Sequence, residues 1–471
     1  GISGLAAARA LALHGVPVTV AEGGPRLGGK ISTERSDGFV IEGGPDSFLV
    51  TRPAAVRLAR DLGLGDELVG TRDPRAVFIR HRGRLVPMPA GLGFVLPTRA
   101  LPFAMSPLFS WPEKLRMAKD IAWPRMLGPD DEAVGTFLRR RLGSPLVDRL
   151  AGPLVGGVYG TPIDELSLDA VVPQLRTAEA DHRSLLFAGL ADGRKMRRAM
   201  AARPAGAASL GAFASLRGGM DGLTGALAAS LGPLGVDVRT VCGVRTLTRA
   251  GSGVAARFAD GSLVPFDAAV IATPAPVAAV LLDGELPAAS LALDAIPHGT
   301  SILVTLAYPR ERVEHPLVGH GYLVPPTEGG AIAACTWTSE KWPDRAPDGT
   351  VLLRMFVRDE GAWTSLPDDA LVAAARADAE LTLGITGEPL LVRVVRYAGS
   401  MPRYTVGHLR RVAAIDAVMA EWRAVILAGS SYRGVGLPDC IAGGETAAGR
   451  ALASLGAVSV ATIPELAALP A

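Results

Sequence analysis

Gly1-Ile2-Ser3-Gly4-Leu5-Ala6-Ala7-Ala8 runs on in helical periodicity to His14-Gly15, and Pro17-Val18-Thr19-Val20-Ala21-Glu22 follows. The order is helix, turn, buried strand, acid. A dinucleotide-binding unit needs glycines where backbone approaches a pyrophosphate, a helix N-terminus to hold the phosphate charge, and an acid at the end of the next strand for ribose hydroxyls. Gly1, Gly4 and Glu22 fill those places, with Ser3 between the glycines. The first glycine of such a motif and the strand before it are not in the sequence, so the chain is expected to begin late in the unit. On this segment alone, a purely structural strand-to-helix turn reads equally well.

Two further glycine segments follow in order. Arg26-Leu27-Gly28-Gly29-Lys30 comes soon after the acid, and Glu42-Gly43-Gly44-Pro45-Asp46-Ser47-Phe48 follows a short strand, Gly38 to Ile41. Near the other end, 424–429 reads as a buried strand, and Tyr432-Arg433-Gly434-Val435-Gly436-Leu437-Pro438-Asp439 as a turn. A helix through Ala447 and Leu452 follows that turn and aims its N-terminal dipole at an electron-rich group. In mid-chain, Leu216-Arg217-Gly218-Gly219-Met220 precedes a helix, and 236–241 and 267–274 read as strands.

This set resembles the FAD-binding signature of the flavin amine-oxidase superfamily. The resemblance implies that Gly1, Ser3, Gly4 and Glu22 hold the nucleotide, that Arg26, Gly28, Gly29 and Lys30 wrap the pyrophosphate, and that Gly43, Gly44, Pro45, Asp46 and Ser47 meet the flavin. It places Val241 on the adenine side, and Tyr397, Gly429, Val435, Gly436 and Leu437 about the cofactor, the last three by the flavin ring. The fold expected is α/β, with an FAD-binding doubly wound, Rossmann-like domain assembled from 1–50, 212–280 and 424–471. An α+β substrate domain is expected from 51–86 and 281–423, and a helical insertion from 87–211.

The intervening segments narrow the resemblance. Pro153-Leu154-Val155-Gly156-Gly157-Val158-Tyr159-Gly160, His182-Arg183-Ser184-Leu185, Ala334-Cys335-Thr336-Trp337-Thr338 with Lys341-Trp342-Pro343, Met401-Pro402-Arg403-Tyr404-Thr405-Val406-Gly407-His408 and the turn through Cys440-Ile441 are similar to segments of one family. That family is the oxygen-dependent protoporphyrinogen or coproporphyrinogen oxidases, especially the soluble Gram-positive-type branch. The resemblance implies FAD-dependent oxidation of a porphyrinogen to the porphyrin, with O2 consumed and hydrogen peroxide released, in haem synthesis. It places Gly157, His320, Leu323 and Met355 as substrate-cavity residues. Strand core is an equal reading of Leu323 and Met355. Relatives often carry a Lys or Arg in the segment Pro87 to Gly93, but Ala90 and Gly93 are neutral here, so Arg99 and Arg176 are taken as candidate propionate anchors. No residue is assigned as catalytic, because the flavin carries the chemistry.

Residue types with a plainer role are read that way. His182 and His408 suit a cap or a domain contact, Trp337 and Trp342 suit core, and Cys440 suits packing. Residues 87–203 are helix-rich and set Met105, Phe109, Trp111 and Trp123 among Arg99, Lys114, Arg116 and Lys119. That mix suits a peripheral membrane contact or, with a small preference, the mouth of an apolar cavity. Residues 191–211, rich in Ala, Arg and Gly, read as a mobile loop.

Composition excludes other classes. A net charge of +2 gives no field to concentrate nucleic acid. Three cysteines, Cys242, Cys335 and Cys440, far apart and odd in number, fit neither a disulfide framework nor a paired metal site. No apolar run reaches the roughly 18 residues of a membrane span. A cytoplasmic protein is expected, peripheral at most on the inner face of the membrane, meeting a porphyrinogen, O2 and a haem-pathway enzyme, with no metal. An amine oxidase or carotenoid desaturase is the first rival, though only five lysines occur, Lys341 being the one in the later substrate region. An inactive flavin- or tetrapyrrole-binding protein is the second.

Overall fold

Strand Thr19–Ala21 pairs in parallel with Asp237–Arg239, and Ala269–Ile271 in parallel with Val425–Leu427. Parallel strands need crossovers of a dozen residues or more, which is why partners lie hundreds of residues apart in sequence. Helices Ile2–Leu13 and Leu437–Ser454 pack on these pairs and on each other. Their contact is unusually close: a Cβ added to Gly444 would stand 2.2 Å from the Ser3 carbonyl oxygen. The computed structural model describes residues 1–93, 95–201 and 210–456.

The chain divides into two units. The first comprises Gly1–Gly70, Leu210–Pro297 and Leu409–Ala471. Beside the parallel pairs it holds a hairpin, Thr33–Ser36 with Phe39–Glu42, and an antiparallel meander of Val244–Ala250, Gly253–Phe258 and Leu263–Phe266. One core gathers Leu5, Leu58, Leu216, Leu223 and Ile441, and a second gathers Phe258, Leu282, Leu293, Ile415 and Trp422.

The second unit comprises Thr71–Ser209 and His298–His408. Its seven-stranded sheet runs in the order Leu391–Pro402, His298–Pro309, Thr350–Val357, Ile332–Trp337, Gly321–Leu323, Val77–His81, Arg84–Pro87. Register places Tyr322, Cys335, Met355 and Val304 in one cross-strand row. That row shares a core with Leu371, Ala375, Ala379 and Leu383 of helix Asp368–Leu383. Beneath the helix, the Tyr322 hydroxyl and the Arg80 guanidinium each donate to Asp378 at 2.6 Å. In the helical part, Arg141 is buried and ion-paired to Asp120 at 2.5 Å.

The boundaries differ from those expected, and packing supplies the reasons. Residues 51–70 join the first unit because Ala54, Ala55, Leu58 and Ala59 of helix Ala54–Asp61 enter its core. Residues 281–297 and 409–423 join it through Leu282, Leu293, Val412 and Ile415. The helical stretch 87–211 is largely of one unit with the sheet. The loop expected over 191–211 is also corrected: helix Leu185–Ala201 covers its first half, where Gly189 and Gly193 lie against Pro97 and Thr98. Residues 202–209 of that stretch, and 457–471 of the expected third FAD segment, lie outside the described residues.

Candidate flavin and substrate sites

The expected nucleotide segment of the first unit is built around helix Ile2–Leu13, which Gly1 caps. The first N–H groups of any helix have no partner within it and carry a partial positive charge. A Cβ at Gly1 would meet nothing within 4 Å. Glu22 follows the strand Thr19–Ala21 and accepts the Gly24 N–H at 2.9 Å. Gly28 and Gly29 are left-handed, with φ of 101° and 61°, and Gly29 stands close enough to Gly1 that an added Cβ would lie 3.0 Å from its Cα. The Gly43–Ser47 segment meets the same loop, since a Cβ on Gly44 would fall 1.8 Å from the Lys30 carbonyl oxygen.

Arg26 has a role that its motif did not announce. Its guanidinium donates to the carbonyls of Leu27 at 2.9 Å, Ile31 at 2.7 Å and Gly29 at 2.6 Å. The charge therefore holds the loop 27–31 in shape. Burial lowers the pKa of the Lys30 ammonium, with the Cys440 thiol acting weakly against it. Burial likewise pushes the Cys440 thiol up to about 11, so it is a protonated packing group at neutral pH.

Two residues left out of the expected set belong to this framework. Glu42 is buried, and it accepts the Thr33 hydroxyl at 2.7 Å and the Met220 N–H at 2.9 Å. Ser215 donates to the Asp46 carbonyl at 2.7 Å, while the Asp46 carboxylate accepts Ser47 at 2.8 Å. An acid closing a strand just before Gly43-Gly44 was the available signal. Val241 is 70% exposed and held at φ 53°, a left-handed conformation that a β-branched residue rarely adopts. Its N–H donates to the Gly24 carbonyl at 2.9 Å, which fixes the strained turn beside Glu22.

At the third segment, Gly429 ends the strand Val425–Leu427 region at φ 121°, and Val435, Gly436 and Leu437 form the entry to helix Leu437–Ser454. Asp439 in its first turn pairs with Arg52. The structure thus gathers the expected cofactor residues, Tyr397 apart, into one unit. Tyr397 lies on strand Leu391–Pro402 of the other unit.

The expected substrate residues all lie in the second unit, and several need correction. Met355 is fully buried in the core under helix Asp368–Leu383. Leu323 sits one residue after Tyr322 and so faces the opposite side of the sheet, where its row-mate is Phe356, reached through Ala334. Met355 is therefore core, and Phe356 shares the face of the sheet that carries Leu323. His320 is buried, with Nε2 2.7 Å from the Arg72 carbonyl and its own N–H on Ala76, and burial lowers its pKa. It fastens the 72–76 loop. Arg176 is also engaged elsewhere: it pairs with Asp169 at 2.6 Å and donates to the carbonyls of Gly128 and Asp130. Each of its three guanidinium nitrogens is thus bonded within the protein. The exposed Arg99 lays its side chain against Gly91, and Gly157 is exposed at the end of a π-helix, Val147–Gly156.

A family model described as flavin containing amine oxidoreductase matches residues 2–452. The chain belongs to that family, and is accordingly a flavin-class oxidoreductase. Among its relatives is the coproporphyrinogen III oxidase of Propionibacterium freudenreichii, 43% identical over 94% of this chain and 87% of that protein. The coproporphyrinogen III oxidase of Bacillus subtilis is 36% identical over 97% of each. A crystal structure from Exiguobacterium, provisionally described as a protoporphyrinogen oxidase, superposes with a TM-score of 0.83 at 31% identity, covering 97% of both chains. Among the described residues, no helix is long and apolar enough to cross a membrane.

Proposed function

We propose that this chain is an FAD-dependent oxidase that converts coproporphyrinogen III to the porphyrin in haem synthesis, with O2 as the electron acceptor. The observation that carries the reading is likeness over nearly the full length to bacterial proteins of that activity, at 43% and 36% identity. The helix start at Gly1, the acid Glu22 after the strand Thr19–Ala21 and the side-chain-free loop at Gly28 and Gly29 fit a dinucleotide. The Gly43–Ser47 segment and the turn at Val435–Leu437 would lie by the flavin ring. Bound there, FAD would supply two-electron oxidation of the macrocycle's methylene bridges, with the electrons passing on to O2 as hydrogen peroxide.

The protein's own part is to bind and orient. Glu22 would accept ribose hydroxyls, the amides of 28–30 and the helix end would hold the pyrophosphate, and Arg26 keeps that loop in shape for it. The substrate needs an apolar wall for the ring and cations for its four propionates. Purified protein supplied with FAD should be yellow and should turn over coproporphyrinogen III with three peroxides per porphyrin. Absence of porphyrin fluorescence above the uncatalysed rate, in protein that retains its flavin, would refute the reading; oxidation of benzylamine or phytoene in its place would favour a rival.

The reading extends to location: a cytoplasmic enzyme that meets the inner face of the membrane peripherally. Leu101 and Met105, and then Trp111 and Leu115, form exposed i, i+4 apolar pairs on two short consecutive helices. Lys114 sits over the Trp111 ring at 4.7 Å, and Arg99 and Lys119 are exposed nearby in sequence.

A further inference from the structure

Opposite the face that helix Asp368–Leu383 covers, the seven-stranded sheet carries two adjacent rows of different character. One is apolar: Leu323, Ala334, Phe356, Leu303 and Val395 stand side by side across five strands. All but Leu303 are only half-buried. The next row, two residues along each strand, holds Thr336, Arg354, Thr305 and Arg393 in register. No position of either row is acidic.

Two features set this arrangement apart from an ordinary sheet face. The Arg354 guanidinium carbon lies 4.9 Å from the Phe356 ring centroid, so the charge is turned along the face toward the apolar row. Arg354 and Arg393 are separated by one strand, which puts their Cα atoms about 10 Å apart at the usual spacing of neighbouring strands. A flat apolar strip edged by two cations suits a wide apolar ring with carboxylates on its rim. Arg guanidinium is also the cation best shaped for a carboxylate, which it meets with two parallel N–H groups.

We infer that Arg354 and Arg393 read the propionates of the substrate while the row through Phe356 supports the macrocycle. The inference rests on the proposed porphyrinogen oxidase function and deepens it. It also answers the lack of a basic residue between Pro87 and Gly93, since the positive charge comes from the sheet floor. A substrate with four carboxylates draws more from such a pair than one with two.

The test compares Arg354→Gln, Arg393→Gln and Arg354→Lys, each loaded with FAD, on coproporphyrinogen III and protoporphyrinogen IX. In Arg354→Gln the KM for coproporphyrinogen III should rise about tenfold with kcat within about twofold, as expected when binding common to ground and transition states is lost. The preference for coproporphyrinogen over protoporphyrinogen should fall by at least about threefold, and Arg354→Lys should recover part of it at low salt. Equal losses on both substrates, or a fall in kcat at constant KM, would overturn the inference. Should Arg354→Gln fail to fold, the half-buried Arg393→Gln gives the same comparison, and the same outcomes support or overturn the inference. Wild-type protein that oxidises neither porphyrinogen refutes the proposed function; wild type that oxidises them alongside indifferent variants refutes only this inference.

Discussion

Gly443 and Gly444 are neighbours in helix Leu437–Ser454, yet alanine should act oppositely at the two positions. At Gly443 an added Cβ meets nothing within 4 Å, so Gly443→Ala should gain the helix-propensity difference, about 0.8 to 1 kcal/mol. At Gly444 the same atom would stand 2.2 Å from the Ser3 carbonyl oxygen and 3.2 Å from the Ala6 Cβ. Contacts below about 3 Å are not tolerated, and the nearest obstacle is backbone, so no rotamer relieves it. The two helices must part, at an overpacking cost of about 1 to 3 kcal/mol. Propensity cancels in the difference between the variants, so that difference isolates the packing term. Because the moved element is helix Ile2–Leu13, Gly444→Ala should also loosen the cofactor, whereas Gly443→Ala should not. Urea titration following flavin fluorescence measures both effects on one sample. Equal midpoints for the two variants, or a Gly444→Ala that holds flavin as wild type does, would show that the close approach at Ser3 neither limits packing nor positions the nucleotide end.

Arg26→Gln removes the charge that ties three carbonyls of the 27–31 loop, and flavin retention should weaken about tenfold, or about 1.4 kcal/mol; equilibrium dialysis with FAD checks it, and unchanged affinity would leave the guanidinium without a positioning role. His81, His315 and His320 all have pKa values lowered chiefly by burial. A depressed folded pKa means that stability is intact above the ordinary value of about 6.5 and drains as pH falls below it. All three belong to the second unit, so its melting should decline from pH 7 to pH 5, and His320→Asn should flatten that decline; a melt independent of pH would contradict the assignment. Trp111→Glu with Leu115→Glu should abolish sedimentation with anionic vesicles while leaving turnover of dispersed substrate within about twofold, since exposed substitutions away from the site cost little. Wild type that never sediments would remove the peripheral location.

What was legible in the sequence was whatever a short stretch of backbone settles by itself. Gly28 and Gly29 sit where the chain turns left-handed, and Gly44 where an added Cβ would strike the Lys30 carbonyl; only glycine meets either demand without strain. Such demands are local, so they survive in the order of residues. Strand positions at 19–21, 269–271 and 425–427 were readable for the same reason, being short apolar runs bounded by turns. Unit boundaries were not, because the side of the chain to which 51–70 belongs depends on where Ala55 and Leu58 find partners far away in sequence.

The misreading of Met355 has a sharper cause, and it bears on how this site is assembled. Side chains alternate across a strand, so an error of one residue moves a position to the other face of the sheet. Met355 and Phe356 are both large and apolar, and nothing in Leu353-Arg354-Met355-Phe356-Val357 says which of the two looks toward helix Asp368–Leu383. Pairing with Cys335 and Val304 settles it, and those partners come from two other strands. The same shift that sends Met355 into the core puts the buried Arg354 and the half-buried Phe356 together on the face shared with Leu323. A cation and an aromatic at positions i and i+2 look unrelated along the sequence; on a strand they are neighbours on one surface. The charge that the segment 87–93 lacks is therefore supplied by residues whose relevance exists only once the register is known, and substituting Arg354 tests that register as directly as it tests substrate recognition.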